Sequence, residues 1–115
     1  MNFILRLLIT AAIAYGLSKI LTGVHIADFK VALIFALVLA LLNAIVKPII
    51  ILFTLPITII TLGIFLFVIN ALIILIAARI MDGIKIDGFW WALLFSIILS
   101  IFSSGVQKAM DNRNG

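Results

Sequence analysis

The chain has 115 residues, 67% of them hydrophobic and 10% charged, with a mean hydropathy of +1.49. A soluble domain is about half apolar and about a quarter charged, so eight Lys/Arg and four Asp cannot clothe a water-facing surface, and the composition describes an integral membrane protein in contact with a lipid bilayer. The absence of Cys excludes disulfides, thiolate catalysis and Cys-ligated metals; one His and four scattered Asp are too few for a transition-metal site.

In chain order, residues 7–18 run uncharged between Arg6 and Lys19, whose stems can snorkel to the headgroups, which predicts a first helix over about residues 3–21. Residues 31–46 are uncharged between Lys30 and Lys47. Pro48 follows, and because Pro disfavours helix at the residue before it, the second helix is expected to end or kink near Val46–Lys47. Residues 48–78 carry no charge, which as one helix would be about 46 Å long, too long for one upright span and short for two. Pro56 and Gly63 interrupt this stretch, so a full span is expected from about Ile57 to Met81, after a short apolar segment at 49–55 that stays in the interface. Residues 88–107 form a last span, opened by Trp90 and Trp91 in the manner of an interfacial aromatic belt. Four spanning helices result; a thin extra crossing over 49–61 would make five. Arg6, the apolar run and Ala12-Ile13-Ala14 also resemble a secretory signal, but the repeat below argues for a retained first helix.

Gly23-Val24-His25-Ile26-Ala27-Asp28-Phe29 returns sixty residues later as Gly83-Ile84-Lys85-Ile86-Asp87-Gly88-Phe89. Aligning residues 8–48 with 68–108 without gaps gives 12 identities over 41 positions. The expected fold is therefore an all-α membrane protein of four transmembrane helices in two tandem helix-loop-helix repeats, about 3–48 and 61–108. A connector at 49–60 separates them and a short polar tail, 109–115, follows. With four spans the halves run in parallel; with five they would be inverted. The two loops alternate apolar and polar residues after a Gly. They either pair as short strands or form irregular turns in the lipid boundary, with Gly23, Phe29, Gly83, Phe89, Trp90 and Trp91 at the interface.

Small residues recur at every fourth position: Ala32, Ala36, Ala40 and Ala44 in the second helix, and Ala92, Ser96, Ser100 and Ser104 in its repeat mate. Such spacing permits close helix approach in lipid, either within the chain or, through the serines, between copies. Asn43 and Asn70, with repeat mates Ser103 and Thr10, are expensive in lipid unless paired. A structural polar cluster of Thr10, Asn43, Asn70 and Ser103 joining the halves is expected; a solute path built from them is the alternative. His25 reads as an exposed loop residue. No span holds an ionisable group at depth, which argues against proton-coupled transport. No nucleophile–base pair, phosphate loop or nucleic-acid motif occurs, so no enzyme activity, no cofactor, no metal and no nucleic acid partner is expected. The cations divide four against four between the two sides, and we place both termini in the cytoplasm.

The run Asn43-Ala44-Ile45-Val46-Lys47-Pro48, the steps Leu55-Pro56 and Thr61-Leu62-Gly63, the pair Asn70-Ala71, and Gly83 through Leu93 (GIKIDGFWWAL) together resemble phage holin family 4, the mycobacteriophage-type four-transmembrane holins of superfamily IV. The likeness covers about residues 3–108 and points to a chromosomal bacterial member. It implies a polytopic protein of the bacterial inner membrane, and the holin label implies homo-oligomers that open lesions for a lytic enzyme. The family offers no catalytic residues to transfer. The chain departs from its pattern at Lys47, where an Arg often precedes the Pro, and in its serine-rich last helix. Two functions are expected as alternatives: an assembly-forming or envelope-associated membrane protein, or a pore- or permease-like protein with a polar Asn/Ser/Thr path.

Overall fold

A computed structural model describes residues 2–114. The first helix, α1 (Phe3–Ile20), opens on Asn2, whose Oδ1 accepts the Leu5 N–H at 2.7 Å. A three-residue strand, β1 (Val24–Ile26), follows. The second helix, α2 (Phe29–Phe53), opens on Asp28, whose Oδ1 accepts the Val31 N–H at 2.9 Å. Both caps satisfy an amide the helix itself leaves open.

Helix α2 does not stop at Val46–Lys47; it continues through Pro48 for 25 residues. Continuing forfeits one hydrogen bond, to the carbonyl of Ala44, whereas stopping would strip about four carbonyls of partners. In a medium without water to take them, the longer helix is the cheaper solution. The chain breaks instead at Thr54, before a short helix, α3 (Leu55–Ile60), with Pro56 at its start. Threonine hydroxyls hold this connector. Thr54 Oγ1 donates to the Ile50 carbonyl at 2.8 Å, Thr58 Oγ1 to Thr54 at 3.0 Å, and Thr61 Oγ1 to Ile57 at 3.0 Å. A turn with Leu62 and Gly63 at φ 56° and 88° leads into α4 (Phe65–Ile80). The span expected from Ile57 thus starts eight residues later. Six residues of α3 cover about 9 Å, too little to cross a bilayer.

The second strand, β2 (Ile84–Ile86), precedes the last helix, α5 (Phe89–Asn114), which carries on past residue 107 through most of the expected polar tail. Gly115 lies outside the described residues. Helices α1, α2 and α5 are long and apolar enough to cross a membrane, and α4 is a shorter apolar helix.

The two loops pair as strands. β1 and β2 run antiparallel in the register Val24↔Ile86, His25↔Lys85 and Ile26↔Ile84. The ribbon is closed at its ends by Ala27 N–H to the Gly83 carbonyl and Asp87 N–H to the Gly23 carbonyl, both 2.8 Å. A sixty-residue shift exchanges one of these bonds for the other. Pairing the strands gathers the C-termini of α1 and α4 and the N-termini of α2 and α5 at one end of the molecule, leaving α3 and both chain ends at the other.

Helix α1 packs on α2, α2 on α4, α4 on α5, and α5 back on α1, closing a ring of four. The buried positions recur with the same shift: Ala11, Ala14 and Leu17 against Ala71, Ile74 and Ala77, and Ala32, Phe35 and Leu39 against Ala92, Phe95 and Leu99. Phe35 and Phe95 meet across the ring at 6.0 Å between centroids. Alanines line the close helix contacts, and the two phenylalanines fill the space between them.

Candidate functional site: the groove between the first two helices

The small-residue stripes do not form one face each. Ala32 and Ala36 are buried, Ala40 is half-buried and Ala44 exposed; Ala92 and Ser96 are buried, Ser100 and Ser104 exposed. At about 3.6 residues per turn, every fourth-residue step rotates about 40° further, so the fourth member lies about 120° from the first. Each stripe therefore starts in the core beside the ribbon and winds out to the surface. Ser96 faces its own chain, and its hydroxyl donates to the Leu93 carbonyl at 2.8 Å. A contact with another copy could use only Ser100 and Ser104.

The four polar residues are not joined to one another by hydrogen bonds among the described residues. Thr10 and Asn70 are half-buried, Asn43 is exposed, and the Ser103 Oγ is buried without a partner. Thr10 and Asn43 do come together. Both line an outward groove of about 380 Å³ between α1 and α2, with Arg6 at its mouth and Ala36, Ala40 and Ala44 along it. Asn43 also borders a neighbouring hollow of about 390 Å³ lined by Lys47, Pro48 and Leu55. The reason is depth. Counted from the ribbon end, Arg6 on α1 and Asn43 on α2 both lie about 21 Å along their helices, Thr10 about 15 Å and Lys47 about 27 Å. The antiparallel helix pair thus puts a cation, an amide and a hydroxyl at neighbouring heights. Arg6 and Lys47 make no ion pair among the described residues, and no acid lines either hollow.

At the ribbon end, the interfacial residues divide into two roles. Trp90 is 76% exposed and stacks edge-on with Phe89 at 5.6 Å, as a belt residue should. Trp91 instead turns inward and lies directly on buried Gly23. Val31, sixty positions earlier, lies on Gly83 in the same way, its Cγ2 2.9 Å from where a Cβ would stand. Phe29 meets Tyr15 edge-on at 6.2 Å, and Lys19 Nζ sits 4.9 Å over the Tyr15 ring. His25 is exposed, and its Nε2 lies 3.3 Å from Asp87 Oδ2 across the ribbon. That pair is invisible without the strand register, which places residue 25 opposite 85 and next to 87. With the two side chains 54% and 40% exposed, Asp87→Asn is expected to change unfolding free energy by less than about 0.5 kcal/mol. Thermal denaturation in detergent checks this; a larger loss would mean the ribbon depends on the pair.

Among the described residues no three His, Cys, Asp or Glu side chains gather. The apolar helices, the threonine-tied connector and the interfacial aromatics define a small polytopic membrane protein. The chain belongs to the family described as "Mycobacterial 4 TMS phage holin, superfamily IV", whose model matches residues 1–104. It is similar to the uncharacterized membrane protein YvlD of Bacillus subtilis, 42% identical over 105 residues covering 90% of this chain and 88% of the relative. It is also similar to an uncharacterized protein of Streptomyces coelicolor, 40% identical over 112 residues covering 89% and 90%. No solved structure matches.

Proposed function

We propose that the protein is a four-spanning protein of the bacterial inner membrane, made of two tandem repeats with both termini in the cytoplasm, and that it works as an assembly-forming, envelope-associated unit rather than as a solute conduit. The observation that carries this reading is the interior. The space enclosed by the four helices is filled by Phe35, Phe95, Ile69, Ile73 and alanines, while Thr10 and Asn43 line an outward groove. A polar path through one chain would need Asn and Ser side chains facing that interior, and the hydroxyl of fully buried Ser96 is tied to its own helix, which leaves the Ser103 Oγ as a buried hydroxyl without a partner among the described residues. The shift-related ribbon bonds and core positions support duplication, with the two halves related by an axis along the membrane normal. Assembly would use the outer half of α5, where Ser100 and Ser104 are exposed.

The chain has no Cys, so Ser100→Cys introduces the one thiol. Oxidative crosslinking in native membranes is expected to give a dimer band, and Ser100→Leu to weaken association by steric exclusion. Inducible expression with a potential-sensitive dye should leave membrane potential unchanged. Abrupt, timed depolarisation would overturn the reading in favour of a lesion-forming holin.

A further inference from the structure

We propose that the groove between α1 and α2 holds one membrane phospholipid, its phosphate on Arg6 and Lys47 and one acyl chain along the alanines of α2. Three observations converge on a phosphate-bearing, chain-bearing occupant.

The first is charge. Arg6 lines the groove and Lys47 the adjoining hollow, with Asn43 shared between them, and neither cation has an acidic partner among the described residues. A guanidinium takes a phosphate through two parallel N–H donors, while an ammonium adds a point charge.

The second is depth. If Phe29 and Trp90 mark one hydrocarbon boundary, a core of about 30 Å puts the other near Ile49 on α2. Lys47 then lies just inside that boundary and Arg6 roughly two turns inside it, so both stems can extend to the phosphate layer. On the same scale Asn43 lies about 9 Å inside that boundary and Thr10 near the middle of the core, and neither has a hydrogen-bond partner among the described residues. In hydrocarbon such groups demand one.

The third is the comparison between the halves. A sixty-residue shift takes Arg6 to Leu66, Leu7 to Phe67, Ala40 to Ser100 and Lys47 to Gln107. The second half keeps the helix packing but has no cation at either position. The charged groove is thus a feature of the first half alone, and the scaffold does not require it.

That comparison also selects the variants. Arg6→Leu installs the residue its repeat mate already carries, so the helix pair should tolerate it. Ala40→Leu fills the groove from the other wall and leaves both cations in place. The experiment reconstitutes the full chain in phosphatidylcholine vesicles with a trace of phosphatidylglycerol carrying a diazirine in one acyl chain. Labelled peptides are mapped after illumination, on protein that runs as a single folded species.

Labelling should concentrate on residues 3–10 and 36–47 over the lipid-facing surface of α5. Arg6→Leu should lower it about tenfold or more, as expected for loss of a charge-assisted hydrogen bond. Arg6→Lys should retain it within about threefold, since the charge survives without the fork. Ala40→Leu should lower it with the charges intact, and it stands as the test if Arg6→Leu does not fold. Millimolar inorganic phosphate should not compete. Uniform labelling of all lipid-facing helices, labelling unchanged in both Arg6→Leu and Ala40→Leu, displacement by inorganic phosphate, or crosslinking of these peptides to a second copy would each overturn the proposal.

Discussion

Replacing Gly23 by Ala is expected to unfold or severely destabilise the protein. A Cβ at this buried position would overlap the indole of Trp91. Trp91 stands in the first turn of α5, where its ring covers the strand. Overpacking of this kind costs about 1–3 kcal/mol or more, and we expect the upper end because the obstacle is a rigid ring rather than the tip of a flexible side chain. A second contact of the same kind suggests the compensating change: sixty positions away a Val, residue 31, covers Gly83. Trp91→Val in the Gly23→Ala background should recover most of the lost stability. Gly16, with nothing within 4 Å of its would-be Cβ, is the control. Gly16→Ala should be neutral or stabilising by up to about 1 kcal/mol, from the reduced backbone entropy of the unfolded helix. Denaturation in detergent micelles, with folded yield as a second readout, checks all three. A Gly23→Ala protein as stable as the parent would show that the ring does not sit on the strand.

Truncating Phe35 or Phe95 should be the most damaging change in the helical core. Both rings are fully buried and tilted at 43° to each other across the ring of helices. In water such a truncation loses both transfer energy and packing. In lipid the transfer part largely vanishes, because the hydrocarbon outside is as apolar as the core. What remains is the void: removing a phenyl ring leaves about 100 Å³, worth about 2–2.5 kcal/mol at about 24 cal/mol per Å³. Each single Ala variant should lose about that much, and the double variant less than the sum, because the two rings are each other's partner. Additive losses in a double-mutant cycle would mean that the rings do not touch in the membrane.

Where the sequence misleads, it does so for identifiable reasons. Pro48 reads as a stop or a kink, and the stop is wrong because propensity rules come largely from chains in water, where freed carbonyls find solvent; in lipid the helix runs on to Phe53. The break falls at Thr54, Thr58 and Thr61, whose hydroxyls return to carbonyls three or four residues back and satisfy the connector locally. The spacing of Ser96, Ser100 and Ser104 is visible in the sequence, but the drift of a four-residue step around the helix divides them between core and surface.

The sequence by itself determined the solvent, the long apolar segments at 3–20, 31–46 and 88–107, and the family, because these depend on composition, uninterrupted length and local identity. The tertiary structure alone decided that the two loops pair as a ribbon, that Trp91 rests on Gly23, and that His25 meets Asp87 rather than standing alone. It also decided that Thr10 and Asn43 share a groove with Arg6 instead of joining Asn70 and Ser103. Each of these depends on the height and rotation at which one helix lies against another, and those are set by how alanines and two phenylalanines pack, which no local pattern records.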